Sequence, residues 1–243
     1  MRKEVIGGCE LYLGDCSEIV PKLTKGLGFD AVITDPPYAI PTLIASGREN
    51  TRSVGDLSIV ETAFRVYFEQ WSDVLAVSGR VFVFCDGTSY PVMFRAAFNT
   101  MASALLIWDK GQIGMGREFR KSHELILHAW RKEAPIYADG VGRADILKYA
   151  PVPTEARTHP AEKPVALIAD LVRPSGAVIL DPFMGSGTTG VACVKLGRRF
   201  VGVEIEPKYF DIACRRIEAA VSAPDMFVEP APKPVQLDLM AAE

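Results

Sequence analysis

An α/β fold is predicted, a doubly wound and mostly parallel sheet of seven strands with one antiparallel member. Three observations carry it. Seven short apolar runs recur along the 243 residues, helical patterns of crossover length separate most of them, and a glycine-rich turn joins one run to a helix. Runs dense in Val, Ile, Leu and Phe, with little polar alternation, suit central parallel strands covered on both faces.

The predicted strands are 10–13 (ELYL), 29–34 (FDAVIT), 80–85 (RVFVFC), 104–109 (ALLIWD), 124–130 (ELILHAW), 176–181 (GAVILD) and 198–204 (RRFVGVE). A helix is predicted over 59–77, where Ile59, Phe64, Val66, Tyr67, Trp71, Val74 and Leu75 keep helical spacing and Gly79 stands just past the end. Helices over 166–172 and 188–196 follow. The last, over 206–221, has Pro207 in its permissive first turn and Arg215 and Arg216 toward the C-terminal end, where cations favour the dipole. The runs at 104–109 and 124–130 flank GQIGMGREFRKSH, which suits an antiparallel pair near one sheet end. One domain is expected over 1–221, with loops at 39–57, 111–122 and 135–158, followed by an extended Pro-rich tail over 222–243.

Composition excludes several classes. With 49% hydrophobic and 23% charged residues, the chain reads as an ordinary soluble globular protein. The five cysteines, Cys9, Cys16, Cys85, Cys193 and Cys214, are widely spaced and form no CxxC, so they read as reduced thiols of a cytoplasmic protein. His123, His128 and His159 are too scattered to suggest a metal site. Neither a signal peptide nor a membrane span is expected. The net charge is −3, yet residues 110–163 hold ten Lys or Arg against seven acids, a balance of +3. A polyanion would meet this middle region first.

Two motifs point to chemistry. In VILDPFMGSGTTGVACVKLG, glycines at 185, 187 and 190 lie between a strand and a helix, where backbone can approach a ligand closely. Glu204 ends the next strand, a position from which a carboxylate can accept both hydroxyls of a ribose. A dinucleotide reading is strained by Asp181, Pro182 and Phe183 before the first glycine, since a carboxylate does not suit a pyrophosphate. A cationic ligand such as S-adenosylmethionine fits that acid better. The second motif, FDAVITDPPYAI, ends a strand with Asp35, Pro36, Pro37 and Tyr38. The prolines remove two N–H donors, which leaves an acceptor-rich site suited to an exocyclic amine, and Tyr38 offers a face on which a nucleobase can stack. An isolated DPP would equally serve to end a strand.

Together the motifs resemble the amino DNA methyltransferases, and the order DPPY, HPAEKP, DPFMGSGTT is that of their β class. The resemblance covers residues 9–218. It implies a circularly permuted, Rossmann-like methyltransferase fold and methyl transfer from S-adenosylmethionine to adenine N6 or cytosine N4 of a flipped base in double-stranded DNA. Asp35, Pro36, Pro37 and Tyr38 match the catalytic motif. Asp181, Pro182, Phe183, Gly185, Ser186, Gly187 and Thr188 match the cofactor turn, Glu204 the ribose-binding acid and Asp15 the acid near the cofactor adenine. His159, Glu162 and Lys163 resemble the segment over the methionine end. Asp at the first position of DPPY favours adenine N6, with cytosine N4 the alternative. Arg48, Arg52, Arg117, Arg120 and Lys121 are the candidate DNA contacts. The 135–158 segment is too short for a separate recognition domain, so short loops, shared across any homodimer, are expected to read the site. The enzyme is expected in the cytoplasm, associated with the nucleoid when on DNA. An NAD-type oxidoreductase and a non-catalytic nucleic-acid-binding module are the readings from other classes.

Overall fold

A computed structural model of the chain describes residues 2–23, 28–37, 57–98, 101–114, 118–135 and 142–223. The elements, in chain order, are β1 (Arg2–Ile6), β2 (Cys9–Leu13), α1 (Cys16–Ile19), β3 (Phe29–Thr34), α2 (Leu57–Val74), β4 (Leu75–Cys85), α3 (Tyr90–Phe98) and β5 (Ala102–Asp109). They continue with β6 (His123–Trp130), β7 (Ile146–Lys148), α4 (Val165–Val172), β8 (Val178–Asp181), α5 (Thr188–Lys195), β9 (Arg199–Glu204) and α6 (Pro207–Ser222).

The strands form one sheet in the order β1-β2-β9-β8-β3-β4-β6-β5-β7. From β2 to β4 all neighbours are parallel, and β6 runs antiparallel between β4 and β5. This is the mostly parallel, doubly wound sheet that the apolar runs predict. The first predicted strand pairs with the last, Leu13 opposite Glu204, which is the register a circular permutation requires.

Among the described residues nine strands stand where seven are predicted. β1 (RKEVI) is an exposed antiparallel edge strand, too charged to register as an apolar run. β7 has three residues, inside the predicted 135–158 loop, and adds a second edge by pairing with Ile107–Asp109. Helix α3 is also additional. Helix α2 stops at Val74, before the predicted end at Val77, because Leu75 pairs with Phe29 at the start of β4. The register then jumps to Ala31 opposite Arg80, so Val77 and Gly79 fall in a bulge.

Helices α2 and α3 cover one face, burying Phe64, Phe68, Trp71, Val92 and Met93 against Val32, Val81 and Val83. Helices α4, α5 and α6 cover the other, where Leu167, Ala192, Phe210 and Ile217 pack on Ile33, Ile179 and Phe200. Phe64, Phe68 and Trp71 share one stripe of α2, and burying each such side chain contributes about 1.5–3 kcal/mol. Among the described residues no helix is long and apolar enough to cross a membrane.

Candidate active site

Parallel strands deliver their C-terminal ends to one edge of the sheet, the place where open α/β sheets bind ligands. Asp15 follows β2, Asp35 follows β3, Asp181 ends β8 and Glu204 ends β9. A cavity of about 690 Å³ opens along this edge. Asp15, Asp35, Pro36, Pro37, Pro182, Phe183, Gly185, Glu204 and His159 all line it. A narrow pocket of about 60 Å³ shares Asp35, His159, Phe183 and Gly185, and adds Glu162, Lys163, Asp181, Ser186 and Thr188. The chain segments of the two predicted motifs therefore meet at one site. Gly187 lines neither space. Tyr38, Arg48, Arg52 and Arg117, with the 39–56 part of the first loop and the tail beyond residue 223, lie outside the described residues.

The turn after β8 is built by internal hydrogen bonds. Asp181 is buried; its Oδ1 accepts from Thr34 Oγ1 at 2.8 Å and from Phe183 N at 3.1 Å, and its Oδ2 accepts from Thr189 Oγ1 at 2.7 Å. Burial outweighs these donors and pushes its carboxyl up to about 7. Gly187 has φ +80°, and a Cβ there would stand 2.8 Å from Ala213 Cβ, so only glycine fits between the turn and α6. Glu204 is fixed by two backbone donors, Gly185 N to Oε2 and Glu206 N to Oε1, both at 2.8 Å. Burial raises its pKa. Asp15 caps α1, its Oδ1 accepting from Ser17 N and Ser17 Oγ.

The HPAEKP segment is anchored from both sides. Glu162 Oε2 accepts from Thr158 N and Thr158 Oγ1, and its Oε1 pairs with Arg216 Nη2 at 2.6 Å. Arg216 Nη1 donates to Ser186 O and Ser186 Oγ, tying α6, this segment and the glycine turn together. His159 Nδ1 accepts from Ala161 N at 3.1 Å, and the ring meets Tyr209 edge-on at 4.3 Å. Burial lowers its pKa, which favours the neutral ring. Lys163, 7% exposed, reaches Asp35 Oδ2 at 2.5 Å and Glu124 Oε2 at 3.1 Å.

Several contributors escape a sequence reading. Tyr67 lies in the cavity wall, stacked on Trp71 and edge-on to Phe183, whereas its helical spacing marks it only as core. Thr34, Thr189 and Arg216 act through partners more than twenty residues or a whole turn away, which local pattern does not announce. Arg120 and Lys121 stand in the β5–β6 loop on the same edge as the cavity. Arg120 Nε donates to Gly114 O, and Lys121 faces Asp86 at 3.8 Å. Beside them Phe119 is 98% exposed.

The donor set tests the expected ligand. Four acids line the larger cavity, Asp15, Asp35, Glu204 and Glu206, and no Lys or Arg does so among the described residues. A cavity of this charge repels a pyrophosphate and attracts a sulfonium and an ammonium. Its volume lies within the 300–1,000 Å³ usual for ligand pockets, and Tyr67, Phe183 and Ile205 supply apolar wall. S-adenosylmethionine fits these residues.

Comparison with known proteins agrees. A family model described as DNA methylase, for the N6/N4 methyltransferases, matches residues 29–215. The type II methyltransferase M.ScaI of Streptomyces caespitosus is 30% identical over 260 residues, covering 86% of this chain and 81% of its own. Type II methyltransferase M2.DpnII of Streptococcus pneumoniae is 49% identical over a stretch of 67 residues, 26% of this chain and 25% of its own. Among solved structures, the M1.HpyAVI–SAM complex matches with TM-score 0.66 and 26% identity, covering 86% of this chain and 98% of its own. The cytosine-N4-specific PvuII DNA methyltransferase, at 14% identity and TM-score 0.67 over 87% of each chain, shares the fold. With a family model that runs from β3 into α6 and a relative matched over most of both chains, the chain belongs to the DNA methylase family, as an S-adenosylmethionine-dependent DNA methyltransferase of the adenine-N6 or cytosine-N4 class.

Proposed function

We propose that this enzyme methylates the N6 amine of adenine at a specific site in double-stranded DNA. The observation that carries the reading is Asp35, a carboxylate at the end of β3 that lines the same cavity as Glu204 and Phe183. When bound, S-adenosylmethionine supplies a methyl group activated by its sulfonium. The protein's work is then positioning and charge.

Glu204, held by the Gly185 and Glu206 N–H groups, accepts from the ribose hydroxyls. Asp15 serves the adenine end of the cavity, and His159 with Glu162 closes the methionine end. Asp181 spends its oxygens on Thr34, Phe183 and Thr189, so its part is to hold Pro182, Phe183, Gly185, Ser186, Gly187 and Thr188 in place. Asp35 and the Pro36 carbonyl accept the two hydrogens of the target amine, which favours a pyramidal nitrogen with its lone pair directed at the methyl carbon. Forming the N–C bond would break the bond from the methyl carbon to sulfur and leave S-adenosylhomocysteine, and Asp35 would be the adjacent acceptor for the proton that the nitrogen sheds. Tyr38 stacks on the extruded ring.

DNA meets the strand-end edge. Arg120 and Lys121, together with Arg48, Arg52 and Arg117, neutralise phosphates or reach guanine edges. Phe119 suits an apolar wedge that enters the stack as the target base leaves.

The test is to incubate unmethylated DNA with the protein and S-adenosylmethionine, digest it to nucleosides and identify the product by mass spectrometry. N6-methyladenine is expected. Exclusive N4-methylcytosine would overturn the base assignment.

A further inference from the structure

Lys163 is buried against two aromatic rings, 5.0 Å from the centroid of Phe84 and 6.0 Å from that of Trp108. A dehydrated ammonium persists only with close anionic partners, and it has two. Asp35 Oδ2 lies at 2.5 Å and Glu124 Oε2 at 3.1 Å. Glu124 is itself held, because its Oε1 faces Lys110 Nζ at 2.6 Å. Burial alone would push the Glu124 carboxyl up, but Lys163 and Lys110 more than offset this and its pKa lies low. Burial likewise opposes the charge on Lys163, and the two carboxylates overcome it.

The four groups form a row of alternating sign from Asp35 to Lys110. Glu124 sits on β6 directly opposite Trp108 of β5, and Lys110 closes the base of the β5–β6 loop through its N–H bond to Ser122 O. The row therefore begins at the carboxylate in the cavity and ends where the loop bearing Phe119, Arg120 and Lys121 leaves the sheet.

We infer that Lys163 is a positioning residue for Asp35 rather than a cofactor ligand, and that Glu124 and Lys110 link this pair to the DNA-facing loop. The inference rests on Asp35 being the carboxylate that meets the amine. An Asp35 side chain tied at Oδ2 loses rotamer freedom, so the acceptor is pre-oriented before the base arrives.

The test measures methyl transfer at saturating S-adenosylmethionine, and S-adenosylhomocysteine affinity by calorimetry, for wild type, Lys163→Met, Lys163→Arg, Glu124→Gln and the double variant Glu124→Gln/Lys163→Met. A positioning role predicts that Lys163→Met lowers kcat by about tenfold or more while the Kd stays within about threefold of wild type. Lys163→Arg keeps the cation and recovers part of the loss. Glu124→Gln lowers kcat by a smaller factor, and the double variant is no slower than Lys163→Met because both act through one chain. The inference is overturned if Lys163→Met raises Kd about tenfold and keeps kcat at saturation, or if the two losses multiply. Should Lys163→Met fail to fold, an unchanged kcat in Glu124→Gln overturns it. Wild-type methyl transfer in the same assay reports separately on the proposed reaction.

Discussion

Thr34 Oγ1 donates to Asp181 Oδ1 at 2.8 Å, joining residues 147 apart in the chain at the ends of neighbouring parallel strands. This bond fastens the strand that carries DPP to the strand that carries DPF. Loss of either partner should therefore damage both halves of the site. Asp181→Ala strands two buried hydroxyls and the Phe183 N–H, and is expected to cost about 3 kcal/mol or more of stability by denaturant unfolding. Thr34→Val removes one donor of three and should cost about 1–2 kcal/mol. In both, S-adenosylhomocysteine binding weakens because the glycine turn loosens. Unaltered binding in a destabilised Asp181→Ala protein would separate the turn from the cofactor.

The same carboxyl gives a pH signature. Burial raises the Asp181 pKa from 3.8 to about 7 in the folded protein. The folded state therefore prefers the protonated acid, so its contribution to stability is greatest below pH 4, declines as pH rises and levels above about 7. Asp181→Asn is neutral throughout. Wild-type stability minus that of Asp181→Asn, from urea unfolding, is expected to fall between pH 4 and 7; a flat difference would mean that the three donors hold the carboxyl ionised.

Catalysis and cofactor binding should separate along β3 and β9. Asp35→Ala removes the proposed acceptor at the amine and is expected to lower kcat by at least about 100-fold with cofactor affinity largely kept. Glu204→Ala removes the proposed acceptor for ribose, worth about 1.5–3 kcal/mol for a charged hydrogen bond, and should weaken S-adenosylhomocysteine about tenfold or more. Calorimetry with single-turnover methylation distinguishes the two. Equal activity of Asp35→Ala and wild type would remove Asp35 from the mechanism.

What the sequence made legible follows from how local each signal is. Central strands must be apolar on both faces, so β3, β8 and β9 stand out from composition, and the acids that end them sit where the strand ends are. Edge strands obey no such rule: β1 is solvated and β7 is three residues long, so neither leaves a pattern. The change from α2 to β4 was hidden because Val74, Leu75 and Val77 suit either element, and pairing of Leu75 with Phe29 decides it. In the site, Asp35, Glu204 and Phe183 were readable from motifs. Lys163 was readable as a position and not by its partners, since Asp35 and Glu124 come from distant segments of the chain. Tyr67 and Arg216 satisfy ordinary helix patterns and gain their roles only through packing.

The β5–β6 loop offers a test that separates charge from shape. Arg120 and Lys121 are cations on the cavity edge, and each phosphate contact steepens the logarithmic salt dependence of DNA binding by about 0.9. Arg120→Ala/Lys121→Ala is expected to weaken binding across sequences and flatten that slope by up to about 2, with cofactor affinity unchanged. Phe119 is uncharged and almost wholly exposed. If it fills space in the base stack, Phe119→Ala leaves the salt slope intact and instead slows base extrusion, read as a smaller fluorescence rise from 2-aminopurine at the target position. A changed slope with normal extrusion would place Phe119 outside the duplex and leave the loop a purely electrostatic contact.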